Sequence, residues 1–155
     1  MEKSIMQDID ITFLDKIKSE LETGEQDIRS YSPLVFAYIG DCIYELVIRC
    51  KLVLEANEQV QKLHKKATSL VKAEAQARIV LSIMEELTEE ELTVYKRARN
   101  AKPHTTPKNG KLGDYHKATG FEAVMGYLYL TNQEDRIIYL IKTGLGNILS
   151  EKEDA

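Results

Sequence analysis

The chain has 155 residues, of which 43% are hydrophobic and 30% charged, and its formal net charge is −4. This length and composition are typical of one compact globular domain and not of two. The N-terminus lacks the basic and apolar regions of a secretory signal, and no apolar run approaches the roughly 20 residues that span a bilayer. We therefore expect a cytoplasmic protein with no membrane partner.

The pattern of the first hundred residues is helical. Residues 1–30 are expected to form a polar N-terminal extension, with an amphipathic helix over 5–21 whose apolar residues recur every four positions. Ser32 followed by Pro33 is a helix start signal, and the helix should run to about Leu54. The segment 57–87 is rich in helix formers and is one helix, or two that break near Val71.

Helices are also predicted in the second part of the chain. Thr88 and Glu91 form the sequence pattern of a capping box. The stretch 101–113 contains prolines and glycines that break a helix and predict a loop, and two further helices follow it. No convincing pair of strands is present. We predict an all-α helical bundle over residues 31–150, with a polar tail at 151–155.

The two cysteines are not expected to form a disulfide. Cys42 and Cys50 lie eight residues apart in one helical pattern, which places them ~12 Å apart along the helix axis. That distance is too great for a disulfide. Free cysteine is among the most buried residue types, so both are expected to be small core residues.

Two apolar helices each contain one isolated acidic residue. Asp41 is the only charged residue between Leu34 and Tyr44, and Glu122 is the only one in the segment 118–133. Glycines accompany both acids, and glycine inside a helix costs about 1 kcal/mol relative to alanine. We predict that these glycines allow the two helices to approach closely, which brings the two carboxylates together.

Two neighbouring carboxylates repel each other unless a cation lies between them. Mg²⁺ suits such a pair because it binds through one or two carboxylates and keeps other positions for water and phosphate. It can also offset charge that develops on a phosphodiester. Asp41 and Glu122 are therefore predicted to be catalytic and to bind Mg²⁺.

Other interpretations of these acids stay open at this point. Either carboxylate can reach solvent, or pair with Arg49, Arg78 or Arg99. Glu45, one helical turn after Asp41, adds an acid to the same face or is a surface charge.

A basic segment precedes the second isolated acid. Residues 95–117 contain seven lysines and arginines against one aspartate, a net charge of +6 in a chain whose total is −4. A basic region on an acidic protein predicts a nucleic-acid-binding face. The candidate RNA-binding residues are Arg97, Arg99, Asn100, Lys102, Lys108 and Asn109, with Lys65 and Lys66 as a second set.

Four sequence blocks occur in a recognisable order. They are LVFAYIGDCIYELVIR (34–49), KLHKKATSLVKAEAQARIV (62–80), RARNAKPHTTPKN (97–109) and YHKATGFEAVMGYLYL (115–130). The set resembles Mini-ribonuclease III, a ribonuclease III family catalytic domain that lacks a double-stranded-RNA-binding domain. This resemblance implies a homodimeric endoribonuclease fold that cleaves double-stranded RNA with Mg²⁺, leaving 5′-phosphate and 3′-hydroxyl ends.

The resemblance also implies a substrate and a site. The family role is maturation of the ends of precursor 23S ribosomal RNA, and a ribosomal protein is a further candidate partner. Asp41 matches the signature aspartate and Glu122 the later glutamate. Larger relatives carry further acids where this chain has Ala37 and Thr119, and the same loss is typical of the Mini form.

Two other classes of function compete with the nuclease. A catalytically weak, dimeric RNA- or ribosome-binding module that kept the fold is one, because the acids at positions 37 and 119 are missing. A purely structural helical dimer is the other, but it leaves the basic segment unexplained.

Overall fold

A computed structural model describes residues 11–101 and 111–154. Over these residues the chain is helical and contains no strand, so the predicted all-α class is confirmed. The helices are α1 (Phe13–Glu20), α2 (Pro33–Glu55), α3 (Val60–Val71), α4 (Ala73–Ser82), α5 (Glu89–Arg99), α6 (Leu112–Leu130) and α7 (Glu134–Asp154), with short 3-10 turns at Ile28–Ser30 and Met84–Glu86.

The helix boundaries follow from local chemistry. The Ser32 hydroxyl accepts a hydrogen bond from the Val35 N–H, and Pro33 opens α2 as predicted. At α5, Thr88 and Glu91 form both hydrogen bonds of a capping box. The segment 57–87 is two helices, because Lys72 adopts an extended conformation between α3 and α4.

Helix α6 is the centre of the bundle. It contacts α2, α4, α5 and α7, and most of its residues between Ala118 and Leu128 are buried. A helix that is apolar on every side is stable only when other helices surround it. The position of Glu122 within α6 therefore places this acid deep in the protein unless a cleft reaches it.

The predicted apolar face of the N-terminal helix is wrong. Phe13 and Leu21 are 66% and 71% exposed, and the buried residue of α1 is Leu14. Side chains at the helix start fix this orientation, since the Thr12 hydroxyl and the Asp15 carboxylate both bond Asn132 at the end of α6. Residues 1–10 lie outside the described part of the chain, and the domain division at residue 30 stays a prediction.

The expectation that both cysteines are core residues is also wrong. Cys42 and Cys50 are exposed and lie on a face of α2 that no described helix covers. The large apolar residues of that face are Val35, Tyr38, Leu46 and Val53, which are 42%, 82%, 56% and 57% exposed. Helix α2 is thus apolar on two sides, and one of them is left uncovered by residues 11–101 and 111–154.

No helix within residues 11–101 and 111–154 is long and apolar enough to cross a membrane.

Candidate active site

Helices α2 and α6 cross with their backbones in direct contact. A β-carbon added to Gly40 would overlap the backbone carbonyl of Glu122, and one added to Gly126 would overlap the carbonyl of Phe36. Any larger residue at either position forces the two helices apart. The predicted close approach is confirmed, and the pair of glycines that makes it is Gly40 and Gly126.

The third glycine near these acids has a different role. A β-carbon at Gly120 would meet the ring of Tyr95 at 2.7 Å, so Gly120 lets α5 pack on α6. Successive residues of a helix are about 100° apart, which puts Gly120 and Glu122 on nearly opposite sides. Helix α5 and helix α2 therefore cover opposite faces of α6 at the same level.

The crossing of α2 and α6 brings both isolated acids into one open cleft of about 760 Å³. Asp41 and Glu45 line it from α2, and Glu122 lines it from α6. Ala37 and Thr119, the positions that are acidic in larger relatives, line it too. The residues that the sequence grouped by chemistry are therefore neighbours in space.

Glu122 is the electrostatically perturbed group of the cleft. Its burial, together with the neighbouring Asp41, raises the pKa of the Glu122 carboxyl from 4.5 to about 8, and Glu45 adds to the effect. A hydrogen bond from Gln76 acts in the opposite direction. The carboxyl thus holds a proton near neutral pH unless a positive charge compensates it.

The two alternative explanations for the acids were exposure to solvent and pairing with an arginine. The first applies to Asp41, which is exposed to solvent at the cleft. No described cation forms a salt bridge with either acid, because Arg49 pairs with Glu45 at 3.7 Å and Arg78 with Glu151 at 3.3 Å. The guanidinium of Arg99 instead lies 5.4 Å from the centre of the Tyr95 ring.

Thr119 has a structural partner. Its hydroxyl donates a hydrogen bond to the Tyr115 carbonyl at 2.9 Å, and the residue is only 9% exposed. A helical threonine that bonds the carbonyl four residues earlier has used its only donor. Thr119 still borders the cleft, whose acidic residues are Asp41, Glu45 and Glu122.

The donor set fits Mg²⁺ better than a metal that needs a complete protein cage. Within the described residues, no three His, Cys, Asp or Glu side chains converge on one point. Zinc sites normally use three or four such ligands, and calcium uses six to eight oxygens. Two carboxylates in an open cleft match the few protein ligands that Mg²⁺ takes.

Sequence reasoning missed Gln76 of α4. This residue is 3% exposed, and its Nε2 donates to the Glu122 carboxylate at 3.4 Å and to the Val71 carbonyl at 2.8 Å. Its sequence context, AEAQAR, resembles an ordinary helix surface. The one sequence signal was that Gln76 lies among alanines at a helical spacing that directs it toward the core. This signal did not indicate that its partner is Glu122, 46 residues later.

The basic candidates that the structure describes do not line the cleft. Arg97 and Asn100 are exposed at the end of α5, and Arg99 is half-buried against Tyr95. In the part of the chain that the structure describes, neither arginine forms a salt bridge with an acid. Lys102, Lys108 and Asn109 lie outside the described residues.

The second basic set lies on α3. Lys65 and Lys66 are both exposed, but the Lys66 amine bonds Glu58 at 2.6 Å. Only Lys65 of this pair lacks an acidic partner among the described residues. The described members of the two basic sets therefore lie on different elements, at the end of α5 and on α3, and none of them bonds Asp41 or Glu122.

Comparison with known proteins identifies the family of this arrangement. The Ribonuclease III domain model matches residues 34–133. Mini-ribonuclease 3 from Thermoanaerobacter is 46% identical over 88% of this chain and 91% of its own length. Mini-ribonuclease 3 from Clostridium tetani is 46% identical over 78% of this chain and 81% of its own.

A solved structure is similar as well. A crystal structure of a Fusobacterium nucleatum protein superposes with a TM-score of 0.71 at 35% identity, covering 76% of this chain and 96% of that one. Sequence and fold thus agree over the region that contains the cleft. The chain belongs to the ribonuclease III family, with Mini-ribonuclease 3 proteins among its relatives.

Proposed function

We propose that this protein is a Mg²⁺-dependent endoribonuclease that cleaves double-stranded RNA into products with 5′-phosphate and 3′-hydroxyl ends. One observation carries the proposal: the backbone contact at Gly40 and Gly126 brings Asp41 and Glu122 into one cleft. Membership of the ribonuclease III family gives the substrate class, since the name of the matching model is that of an RNA-cleaving domain.

Asp41 and Glu122 are the residues that would hold the cation. When bound there, Mg²⁺ would supply positive charge against a phosphodiester and promote the ionisation of water. Asp41 offers an exposed carboxylate at the cleft mouth, whereas Glu122 offers one that is half-buried and fixed by Gln76. The two rigid helices hold these groups in place before substrate arrives, which reduces the reorganisation that the reaction requires.

The basic residues are proposed to hold the RNA. Arg97, Asn100 and Lys65 are exposed and can contact phosphates and 2′-hydroxyls, which recognises duplex RNA by its shape more than its sequence. Lys102, Lys108 and Asn109 complete the set.

A homodimer is proposed because no described residue packs over one apolar face of α2. Tyr38, Cys42, Leu46, Cys50 and Val53 follow each other three or four residues apart, which aligns them on one side of the helix. Such an apolar stripe is typical of a protein interface. Tyr38 and Cys42 also line the cleft, so a second copy on this face would border the active site.

The dimer is tested by the mass in solution. Light scattering after size exclusion should give about twice the chain mass of 17.7 kDa. Leu46→Glu should shift the mass to that of one chain, whereas Leu81→Glu, at an exposed leucine of α4, should leave it unchanged. A wild-type mass of one chain at micromolar concentration would remove this part of the proposal.

The proposed biological substrate is precursor 23S ribosomal RNA in the cytoplasm, with a ribosomal protein as a candidate partner in its presentation. The support is the similarity to curated Mini-ribonuclease 3 proteins over most of the chain. Purified precursor RNA with and without bound ribosomal proteins would test it. Cleavage at the same rate in both samples would remove the ribosomal protein from the proposal.

The central test is incubation of the protein with duplex RNA in Mg²⁺ or in EDTA. Cleavage in Mg²⁺ alone is expected, and Asp41→Asn and Glu122→Gln should each abolish it. Glu55→Gln is the matched control, since Glu55 lies on α2 about 20 Å along the helix from Asp41. A gel shift without cleavage would favour the binding module, and full activity of Asp41→Asn would overturn the metal site.

A further inference from the structure

We propose that Gln76 is a positioning residue that orients the Glu122 carboxylate for cation binding. The inference rests on the proposed function, because it assigns a role to a side chain behind the metal site. Its basis is two hydrogen bonds from the Gln76 amide, one to the Glu122 carboxylate and one to the Val71 carbonyl.

The burial of the polar Gln76 side chain requires a physical explanation. Gln76 is 3% exposed on a helix whose other buried residues are alanines, isoleucine and valine. Burial of an amide costs free energy unless its polar atoms are bonded. The Oε1 atom of Gln76 is buried and has no hydrogen-bond partner among the described residues, so the desolvation of this atom is not offset by a hydrogen bond.

The orientation of the amide is determined by its neighbours. The Val71 carbonyl near Nε2 can only accept a hydrogen bond, and Glu122 also accepts in the ionised form that binds a cation. The reversed amide would direct Oε1 toward two acceptors, which leaves both without a donor. Gln76 is thus the donor to Glu122, whose other oxygen is left for the cleft.

The Val71 contact makes this donor rigid. Val71 is the last residue of α3, directly before the break at Lys72, and its carbonyl has no further turn of helix to bond it. Gln76 satisfies that carbonyl at 2.8 Å and is therefore held between the helix break and the acid. When Glu122 binds a cation as a carboxylate, the same N–H becomes a charge-assisted donor.

Residues that orient a metal ligand typically change metal affinity or activity by 10–100-fold when they are replaced. We therefore expect Gln76→Met, which keeps the length of the side chain and removes the donor, to raise the dissociation constant for Mn²⁺ by about 10-fold or more. Electron paramagnetic resonance of free Mn²⁺ measures this constant without RNA. Cleavage by the variant should need more Mg²⁺ and recover at saturating concentration.

The control separates positioning from general loosening of α4. Asn147→Leu removes an amide that bonds the Ser82 carbonyl and hydroxyl at the other end of α4 but does not contact Glu122. It should lower the melting temperature in EDTA without changing the Mn²⁺ dissociation constant. If Asn147→Leu weakens Mn²⁺ binding as much as Gln76→Met does, the effect of Gln76 is structural and the proposal is wrong.

The outcomes also distinguish this proposal from the one it rests on. Wild-type Mn²⁺ affinity in Gln76→Met, with binding lost in Glu122→Gln, would overturn the role of Gln76 alone. Unchanged Mn²⁺ binding in Glu122→Gln would overturn the metal site, and the role of Gln76 with it. Should Gln76→Met fail to fold by circular dichroism, Gln76→Leu gives the same comparison with a shorter apolar side chain.

Discussion

Gly40 of α2 lies against the backbone carbonyl of Glu122 of α6, with no room between them for a methyl group. This contact sets the separation of the two helices that carry the acids. Side chains repack when a neighbour grows, but a carbonyl oxygen of a helix is fixed by its own hydrogen bond. The spacing of the site therefore depends on one absent β-carbon.

Gly40→Ala should accordingly lower the stability of the fold and also disturb the geometry of the candidate site. We expect a loss of about 1–3 kcal/mol or more in the free energy of unfolding, the usual range for overpacking, and a weaker response to Mg²⁺. Urea unfolding and Mg²⁺-dependent cleavage measure the two effects. Gly146→Ala is the control, because a β-carbon there meets nothing within 4 Å, and it should stabilise α7 by up to about 1 kcal/mol.

Mg²⁺ binding should release a proton near neutral pH. The pKa of Glu122 is about 8, so at pH 7 roughly nine-tenths of the chains carry a proton that cation binding must displace. Titration calorimetry in buffers of different ionisation enthalpy counts these protons. Release should be close to one per chain at pH 7 and small at pH 9, and an absence of release at pH 7 would contradict the perturbed carboxyl.

Stability without metal should fall as the pH rises. The Glu122 carboxyl ionises near 4.5 in the unfolded chain and near 8 in the folded one, so between these values the folded state binds more protons. The free energy of unfolding then decreases with pH, at most by about 1.4 kcal/mol per pH unit from this group. Above pH 8 the decrease from this group ends.

Comparison of two variants isolates that contribution. Glu122→Gln should have a flatter pH dependence than wild type in EDTA, and it should gain stability relative to wild type from pH 5 to pH 8. Glu85→Gln, at an exposed acid on the turn before α5, should follow the wild-type curve. Parallel curves for Glu122→Gln and wild type would refute the assignment.

Away from the cleft, the stability of the fold should be most sensitive to loss of the ion pair between Glu91 and Arg136. Glu91 is 2% exposed, and Arg136 donates two hydrogen bonds of 2.9 Å to its carboxylate. Burial alone would raise the pKa of Glu91, but the bonds from Arg136 and Thr88 hold it below its usual value. Arg136→Met leaves this carboxylate unpaired, and the expected cost is about 3–5 kcal/mol.

The double variant Glu91→Gln/Arg136→Met should recover much of that loss. Glutamine is neutral and still accepts the Thr88 N–H of the capping box, so no charge is left buried. Urea midpoints of the two variants give the comparison. Equal midpoints would mean that lost contacts of Arg136, including its bond to the Glu86 carbonyl, cause the effect.

RNA binding should show the electrostatic signature of phosphate contacts. Arg97→Gln removes one exposed cation of α5, so affinity for duplex RNA should fall and the slope of log affinity against log salt should decrease by roughly one. Lys142→Gln removes an exposed cation from α7 and should change neither quantity. An unaltered slope for Arg97→Gln would exclude a phosphate contact at this residue.

The sequence was sufficient to predict the helices and the meeting of the two acids. Ser32, Thr88 and Glu91 make local hydrogen bonds, and such bonds need no knowledge of the tertiary structure. The position of Asp41 and Glu122 in one cleft was also predictable, because an isolated acid and a helix glycine in each of two apolar segments are hard to explain separately.

The remaining features depend on which faces of the helices are covered. Helix α2 is apolar on two sides, so its pattern could not show that Cys42 and Cys50 face outward. The burial of Gln76 depends on the placement of α4 against α6, which the local sequence does not specify. The same limitation applies to Leu14, which is buried because Thr12 and Asp15 bind Asn132 more than a hundred residues later.

Backbone atoms make the close contact at Gly40 and Gly126. The separation of α2 and α6 is therefore independent of how many acidic side chains line the cleft. Ala37 and Thr119 line the same cleft, so acidic side chains at these positions would add carboxylates beside Asp41 and Glu122. If the proposed cation site is correct, the number of bound metal ions should then change with the number of carboxylates. Ala37→Glu and Thr119→Asp, made singly and together, would allow the number of acids, which differs between branches of the family, to be varied within one protein.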